Sequence, residues 1–280
     1  MAASSRAIVT IGMHRSGTSA VARGLAALGV ELGSNFLDAQ PENPTGYWED
    51  RTIVDLNERV LRALGLRWDD AAPIDPSRFS GWRMWRLRRE TSRYLGRWFT
   101  AQALWGFKDP RTIRLLPFWL QVLRERRVED AYLLVIRNPA SVASSLHARQ
   151  KMTVEAAQRL WLSYVVPFLD RLEAKPLAVV DYDLLMGDPR GQLERIARKL
   201  ELPAAGSPQA DSFVNDFLDL KLRHTVFSAE EIDANTEPGR LTRRGYGLLR
   251  EIAEDRRAID DGFWKQWADL KSSCRTGRRG

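Results

Sequence analysis

The sequence predicts a doubly wound α/β fold: a parallel sheet with helices on both faces, helical insertions and a helical C-terminal region. Three observations point to it. Apolar runs of four or five residues alternate with longer stretches of helical periodicity, each run ends in a polar turn, and the first turn has the spacing of an anion-binding loop.

The first run, Ala7-Ile8-Val9-Thr10-Ile11, breaks into Gly12-Met13-His14-Arg15-Ser16-Gly17-Thr18-Ser19 and continues as helix from Ala20 through Leu25. Gly12 and Gly17, four residues between them and two hydroxyl residues after, are spaced as in a phosphate-binding loop, whose backbone N–H groups face an anion at a helix N-terminus. Thr18 stands where a nucleoside-triphosphatase loop carries lysine, and the nearest cation is Arg15. The loop suits a phosphate but lacks the group that reaches β- and γ-phosphates. Val21, Leu25 and Leu28 share a helical face, and Gly29 is placed to cap that helix.

Residues 33–48 are rich in turn formers and read as an ordered loop over a site. A helix over 50–64 follows, with Ile53, Leu56, Val60 and Leu64 on one face. The stretch 77–100 sets Trp82, Trp85, Leu95, Trp98 and Phe99 among many arginines, which predicts an amphipathic helix whose aromatic stripe packs on the core. The alternative for that stripe is a stacking platform for sugars or bases.

The second strand, Ala103-Leu104-Trp105-Gly106-Phe107, stops at Lys108-Asp109-Pro110-Arg111, and helix follows to about Arg126 with a kink at Pro117. The third, Tyr132-Leu133-Leu134-Val135-Ile136, ends at Arg137-Asn138-Pro139, where a helix begins through Ser141, Ser144 and Ser145. Its unbroken apolar character fits a strand covered on both faces. A long helix over 153–173 leads to the fourth strand, Leu177-Ala178-Val179-Val180, then Asp181-Tyr182-Asp183-Leu184-Leu185 and a helix over 190–200. Residues 205–270 read as helical and irregular, and 271–280 as a frayed basic tail. The whole, 1–280, reads as one domain without internal repeats.

Composition narrows the function classes. A net charge of +7 and a pI near 9.8 favour anionic partners, though a solvated basic surface explains the same excess. The single cysteine, Cys274, excludes an intrachain disulfide and a cysteine metal cluster, and it suits a reducing compartment. With His14, His147 and His224 in unrelated contexts, no metal is expected. No run reaches the length of a membrane span and Met1 to Arg6 leads directly into a strand, so the expected location is the cytoplasm.

In a parallel sheet the strand ends meet at one edge. Three of them carry cations or hydroxyls: Arg15 with Ser16, Thr18 and Ser19, then Lys108 with Arg111, then Arg137 with Ser145. So much positive charge around a backbone nest implies a ligand with more than one phosphate-like group.

These segments resemble the sulfotransferases that use 3′-phosphoadenosine 5′-phosphosulfate (PAPS). Gly12 through Ser19 is similar to their 5′-phosphosulfate loop, in the bacterial form with arginine in place of lysine. Ile136-Arg137-Asn138-Pro139 through Ser145 resembles their 3′-phosphate motif, and Tyr182-Asp183-Leu184-Leu185 with Asp188-Pro189 resembles a later segment; the resemblance spans about residues 6–200. It implies that Arg15 and the backbone of 16–19, with Gly12, His14, Gly17 and the Thr18 and Ser19 hydroxyls, hold the 5′-phosphosulfate, and that Arg137 and Ser145 hold the 3′-phosphate. It further implies that Lys108 stabilises charge on the leaving phosphate, and that adenosine 3′,5′-bisphosphate (PAP) is the product. Arg244 and Gly245, in Leu241-Thr242-Arg243-Arg244-Gly245, match a late basic loop near the adenine.

The base is a separate question. Cytosolic animal members place a histidine two residues after the lysine, but Pro110 stands there. Glu49 resembles the acid of the heparan sulfate-modifying members, and beside Tyr47 and Trp48 desolvation would raise its pKa toward that of a working base. Asp109 is the other candidate. Against these stand the plainer roles: Glu49 as a helix N-terminal acid, Asp109 in an ion pair with Arg111 or Lys108, and His14 and His147 in local hydrogen bonds.

The acceptor class is a glycan, lipid or secondary-metabolite hydroxyl, with loops 33–48, 67–80 and 205–245 around it and no nucleic acid as partner. Competing readings are a nucleotide or small-molecule kinase and a non-catalytic basic module for nucleic acid or membrane.

Overall fold

Four strands, β1 (Arg6–Gly12), β2 (Leu104–Lys108), β3 (Glu129–Ile136) and β4 (Leu177–Asp181), pair in the order β2-β1-β3-β4, all parallel. The computed structural model describes residues 5–40, 43, 46–203, 206–217, 231–232 and 234–276. Because successive strand residues point to opposite faces, Ala7, Val9 and Ile11 enter one apolar cluster with Tyr132, Leu134, Ile136 and Val179. Ile8 enters the other with Ala131, Leu133, Val135, Ala178 and Val180. Both faces are buried, which is why the strands read as unbroken apolar runs.

The second face is covered by α1 (Thr18–Ala27), α8 (Pro189–Lys199) and α9 (Pro208–Ser212), through Val21, Leu25, Leu193, Ile196 and Ala210. The first face carries α2 (Arg51–Ala63), α3 (Trp82–Trp98), α4 (Leu116–Glu125), α5 (Pro139–Gln150) and α6 (Val154–Val165). α10 (Glu237–Ala253) and α11 (Asp261–Thr276) pack on the same cluster through Tyr246, Leu249, Trp267 and Leu270. A short α7 (Tyr182–Gly187) follows β4 directly. The chain runs from β1 to β2 on one side and returns to β3 on the other. The switch point therefore lies at the C-terminal ends of β1 and β3, where Gly12 pairs with Val135, and that is where open α/β sheets bind ligands.

Several boundaries differ from expectation for identifiable reasons. Pro117 does not kink a helix; a 3-10 turn over Pro110–Leu115 precedes α4, and Pro117 sits in the first turn of α4, where its missing N–H costs nothing. The expected helix over 153–173 is α6 followed by a 3-10 turn, Leu169–Leu172, with Pro167 between them. β3 starts at Glu129 because the buried Asp130 is held by the Tyr132 hydroxyl and the Lys175 ammonium, each at 2.7 Å. The basic end is ordered helix as far as Thr276, and residues 277–280 lie outside the described residues. α3 begins at Trp82, and its buried face is Met84, Leu87, Thr91 and Leu95. Trp82, Trp85 and Trp98 are exposed, so the tryptophans do not form the core stripe. Gly29 does end α1, with the Gly29 N–H on Ala26 O at 3.0 Å and the Val30 N–H on Leu25 O at 3.1 Å.

Candidate functional site

The loop after β1 is wound tightly. Arg15 (φ 70°) and Gly17 (φ 81°) both take left-handed conformations, and the Ser16 N–H turns back onto Met13 O at 3.3 Å. Only glycine fits at 17 for a second reason: a Cβ there would lie 2.0 Å from Cδ2 of the Tyr182 ring, which packs against the loop. Gly17 is also the N-cap of α1, and no side chain bonds the first N–H groups of that helix; its first turn holds no acid. Ser16 Oγ is buried without a hydrogen-bond partner. An uncapped helix N-terminus beside an orphaned buried hydroxyl is a cradle for an oxyanion.

Around this cradle the three expected strand ends do meet. Arg15 Nε donates to Ser145 Oγ on α5 at 2.8 Å, and Arg137 at the end of β3 donates from Nη1 to Arg15 O at 3.5 Å. The Arg137 guanidinium lies 4.9 Å from the centroid of the Tyr182 ring, a cation–π contact that fixes its plane.

Lys108, from β2, reaches the other side. Its ammonium is 2% exposed and donates to Ser19 Oγ at 3.1 Å, Tyr47 O at 3.0 Å and Glu49 Oε1 at 2.6 Å. Glu49 is brought there by backbone pairing of the turn-rich loop, in which the Leu37 N–H bonds Glu49 O and the Arg51 N–H bonds Asn35 O. Burial pushes the Glu49 carboxyl above the ordinary range, and Asp109 adds to this, while the Lys108 ammonium opposes it. The next residue, Asp50, is the N-cap of α2, accepting from the Thr52 and Ile53 N–H groups and from the Tyr94 hydroxyl at 2.7 Å. Glu49 is thus not the capping acid.

Asp109 is committed to structure. It accepts from the Arg111 N–H and Nη1, both at 2.9 Å, and from Asn57 Nδ2 at 2.9 Å, with no exposed surface. Asn57 in turn accepts from Trp119 Nε1 at 2.8 Å. Arg111 bridges three carboxylates: Glu58 at 2.5 Å, Asp109 at 2.9 Å and Glu49 at 3.8 Å. Sequence reasoning missed Asn57 and this role of Arg111, because partners fifty residues apart leave no local signal.

His14 projects from the loop between aromatic rings, 4.7 Å from Trp68 and 5.7 Å from Tyr164 by centroid. Desolvation, with the cations Arg111, Lys108, Arg15 and Arg114 nearby, lowers its pKa well below that of free imidazole, so the ring is neutral. Arg114 pins the adjoining segment by donating to Asp70 O at 2.7 Å and Ala72 O at 3.0 Å.

Two expected residues are placed differently. Arg244 and Gly245 lie in the middle of α10, not in a loop. Arg244 is exposed, and Gly245 packs against Leu270 of α11 and Trp161 of α6. His224, with residues 205, 218–230 and 233 of the stretch 205–245, lies outside the described residues. Among the described residues no group of three His, Cys, Asp or Glu is placed to hold a metal ion.

A sequence profile of the sulfotransferase family matches residues 7–206. The chain belongs to the sulfotransferase family. As such it is a PAPS-dependent sulfotransferase, and the matched span contains the anion loop, Glu49, Lys108, Arg137 and Ser145, while Arg244 and Gly245 fall beyond it. Among solved structures this sulfotransferase is similar to the sulfotransferase domain of the Synechococcus PCC 7002 olefin synthase. The two are 14% identical with a TM-score of 0.48, over 87% of this chain and 95% of that one. No curated protein matches it. The residues present fit a doubly phosphorylated donor: the uncapped α1 N-terminus and orphaned Ser16 hydroxyl lie at one end, and the arginines at the switch point lie beside them.

Proposed function

We propose that this sulfotransferase moves the sulfuryl group of PAPS to a hydroxyl of a glycan, lipid or secondary-metabolite acceptor. The observation that carries the proposal is the meeting of an uncapped helix N-terminus with Lys108, Arg15 and Arg137 at the switch point of the sheet. Arg15 and the N–H groups of 16–19 hold the 5′-phosphosulfate, and Arg137 with Ser145 holds the 3′-phosphate. When bound, the donor supplies an activated sulfuryl group with a phosphate leaving group.

Lys108 and Glu49 act as a coupled pair. Lys108 neutralises the charge that builds on the leaving oxygen, the electrostatic work that cations do in phosphoryl transfer. As its ammonium turns from Glu49 to that oxygen, Glu49 loses its strongest counter-charge while still buried, and its basicity rises. The carboxylate then takes the proton of the acceptor hydroxyl. Asp109, with both oxygens engaged, holds Arg111 and Asn57 in place instead. Cys274, without a second cysteine in the chain, agrees with a cytoplasmic enzyme.

Thermal denaturation tests the donor. PAP at about a hundred times its dissociation constant stabilises by about 2.7 kcal/mol, a rise of about 5 °C for a chain of this size. ATP with magnesium has little effect. Stabilisation by ATP with magnesium and not by PAP contradicts the proposal and favours a kinase.

A further inference from the structure

The outward face of α3 has no part in the site described above, and its chemistry is distinctive. The helix carries six arginines and one acid, Glu90. Arg88 pairs with Glu125, and Glu90 is taken by Arg59. Among the described residues none of the other five arginines forms an ion pair. Trp82, Trp85, Arg86, Arg89 and Arg93 recur at intervals of three and four, so they share one face opposite Met84, Leu87, Thr91 and Leu95. Trp82 is 67% exposed and Trp85 41%, and Trp98, at the far end of the helix, is 60% exposed. The arginine-bearing face extends to Arg97, about 22 Å at 1.5 Å per residue.

The arrangement of the rings selects among anionic partners. Trp82 and Trp85 stack on each other at 5.1 Å and 18°, with the Arg86 guanidinium 5.7 Å from the first centroid and Arg89 5.3 Å from the second. A sugar or a base that stacks face-on must displace an arginine or separate the pair. Both rings and the guanidinium side chains of Arg86, Arg89 and Arg93 are exposed. That is the pairing an anionic bilayer accepts: indoles settle at the headgroup level, and guanidiniums meet headgroup phosphates. No helix among the described residues is long and apolar enough to cross a membrane, so the contact is superficial.

We propose that this face of α3 is a docking surface for the headgroup layer of an anionic lipid bilayer. The helix is rigidly tied to the Glu49 region, since Tyr94 donates to Asp50 at 2.7 Å and Arg59 of α2 holds Glu90 through two bonds of 2.6 Å. Docking through α3 therefore also sets the orientation of the catalytic loop relative to the bilayer.

The full chain is sedimented with vesicles of phosphatidylcholine containing phosphatidylglycerol, and with phosphatidylcholine alone. Wild type partitions onto the anionic vesicles only. Each arginine near an anionic surface contributes on the order of fivefold in affinity, so Arg86→Gln/Arg89→Gln/Arg93→Gln together lower partitioning about a hundredfold. Brominated acyl chains quench part of the tryptophan emission, and Trp82→Ala/Trp85→Ala removes that quenching. All five positions are exposed, and an unchanged melting temperature in each variant separates lost docking from lost folding. Failure of wild type to sediment with anionic vesicles overturns the proposal, as does a triple variant that sediments like wild type. Binding to dextran sulfate or a single-stranded oligonucleotide that depends on Trp82 and Trp85, with vesicle binding that does not, also overturns it and assigns the face to a polymer.

Discussion

Replacing Lys108 by methionine separates its electrostatic role from its packing, because the stem is kept and only the charge is lost. In the wild type the ammonium lies 2.6 Å from Glu49 Oε1, with both residues buried. Removing one member of a buried pair costs about 3–5 kcal/mol. The lower end applies here, since Arg111 stays 3.8 Å from the other Glu49 oxygen. About 3 kcal/mol is about 5 °C in melting temperature for a chain of this length. The loss depends on pH in a determined direction. Burial already raises the Glu49 pKa and Lys108 opposes the rise, so the substitution lifts the folded-state pKa further above the unfolded value. A carboxyl shifted that way destabilises fully above its folded pKa and not at all below its unfolded one. The deficit is therefore largest above the folded-state pKa of Glu49 and shrinks as the pH falls toward the ordinary carboxylate range. Urea denaturation of both proteins across these pH values measures it. Adding Glu49→Gln to Lys108→Met removes the stranded charge and restores most of the stability, while sulfuryl transfer stays down on the order of a hundredfold or more. A deficit independent of pH, or one the second substitution deepens, refutes the reasoning.

Gly17→Ala sets a Cβ 2.0 Å from the Tyr182 ring at a left-handed φ; strain and overpacking cost about 2–4 kcal/mol, and calorimetry finds a lower melting temperature with no further rise on adding PAP. In wild type, kcat/KM rises with pH through a pKa above the ordinary carboxylate range, because Glu49 must be ionised to accept a proton; Glu49→Gln keeps PAP binding, lowers turnover and abolishes that limb of the profile. Arg244→Ala, on the exposed side of α10, leaves the calorimetric affinity for PAP unchanged.

Strand positions were legible because each strand is buried on both faces and so writes a continuous apolar run. The charged start of β3 was hidden, since Asp130 is tolerated only through Tyr132 and Lys175. α3 departs from expectation in one respect: of the predicted stripe Leu95 and Phe99 are buried, but Trp82, Trp85 and Trp98 are exposed, and Met84, Leu87 and Thr91 complete the core face. The anion loop, Lys108 and Arg137 could be read because each lies at the end of a strand, where local sequence announces a turn. The contact of Lys108 with Glu49 joins residues far apart in the chain and has no local signature. Arg244 and Gly245 match a loop only through the family resemblance, and no local signal separates them from a helix. What places Gly245 in a helix interface is Trp161 and Leu270, which lie elsewhere in the sequence.

The proposed donor binds at two adjoining anion sites, one at the N-terminus of α1 and one at Arg137 and Ser145. Titration calorimetry with PAP and with adenosine 5′-monophosphate, which differs from PAP only in lacking the 3′-phosphate, measures the second directly. Wild type is predicted to bind PAP far more tightly, and Arg137→Ala to lose about 2–5 kcal/mol of PAP binding while leaving the weaker ligand nearly unaffected. Equal affinity of wild type for the two nucleotides, or undiminished PAP binding by Arg137→Ala, would contradict the proposal.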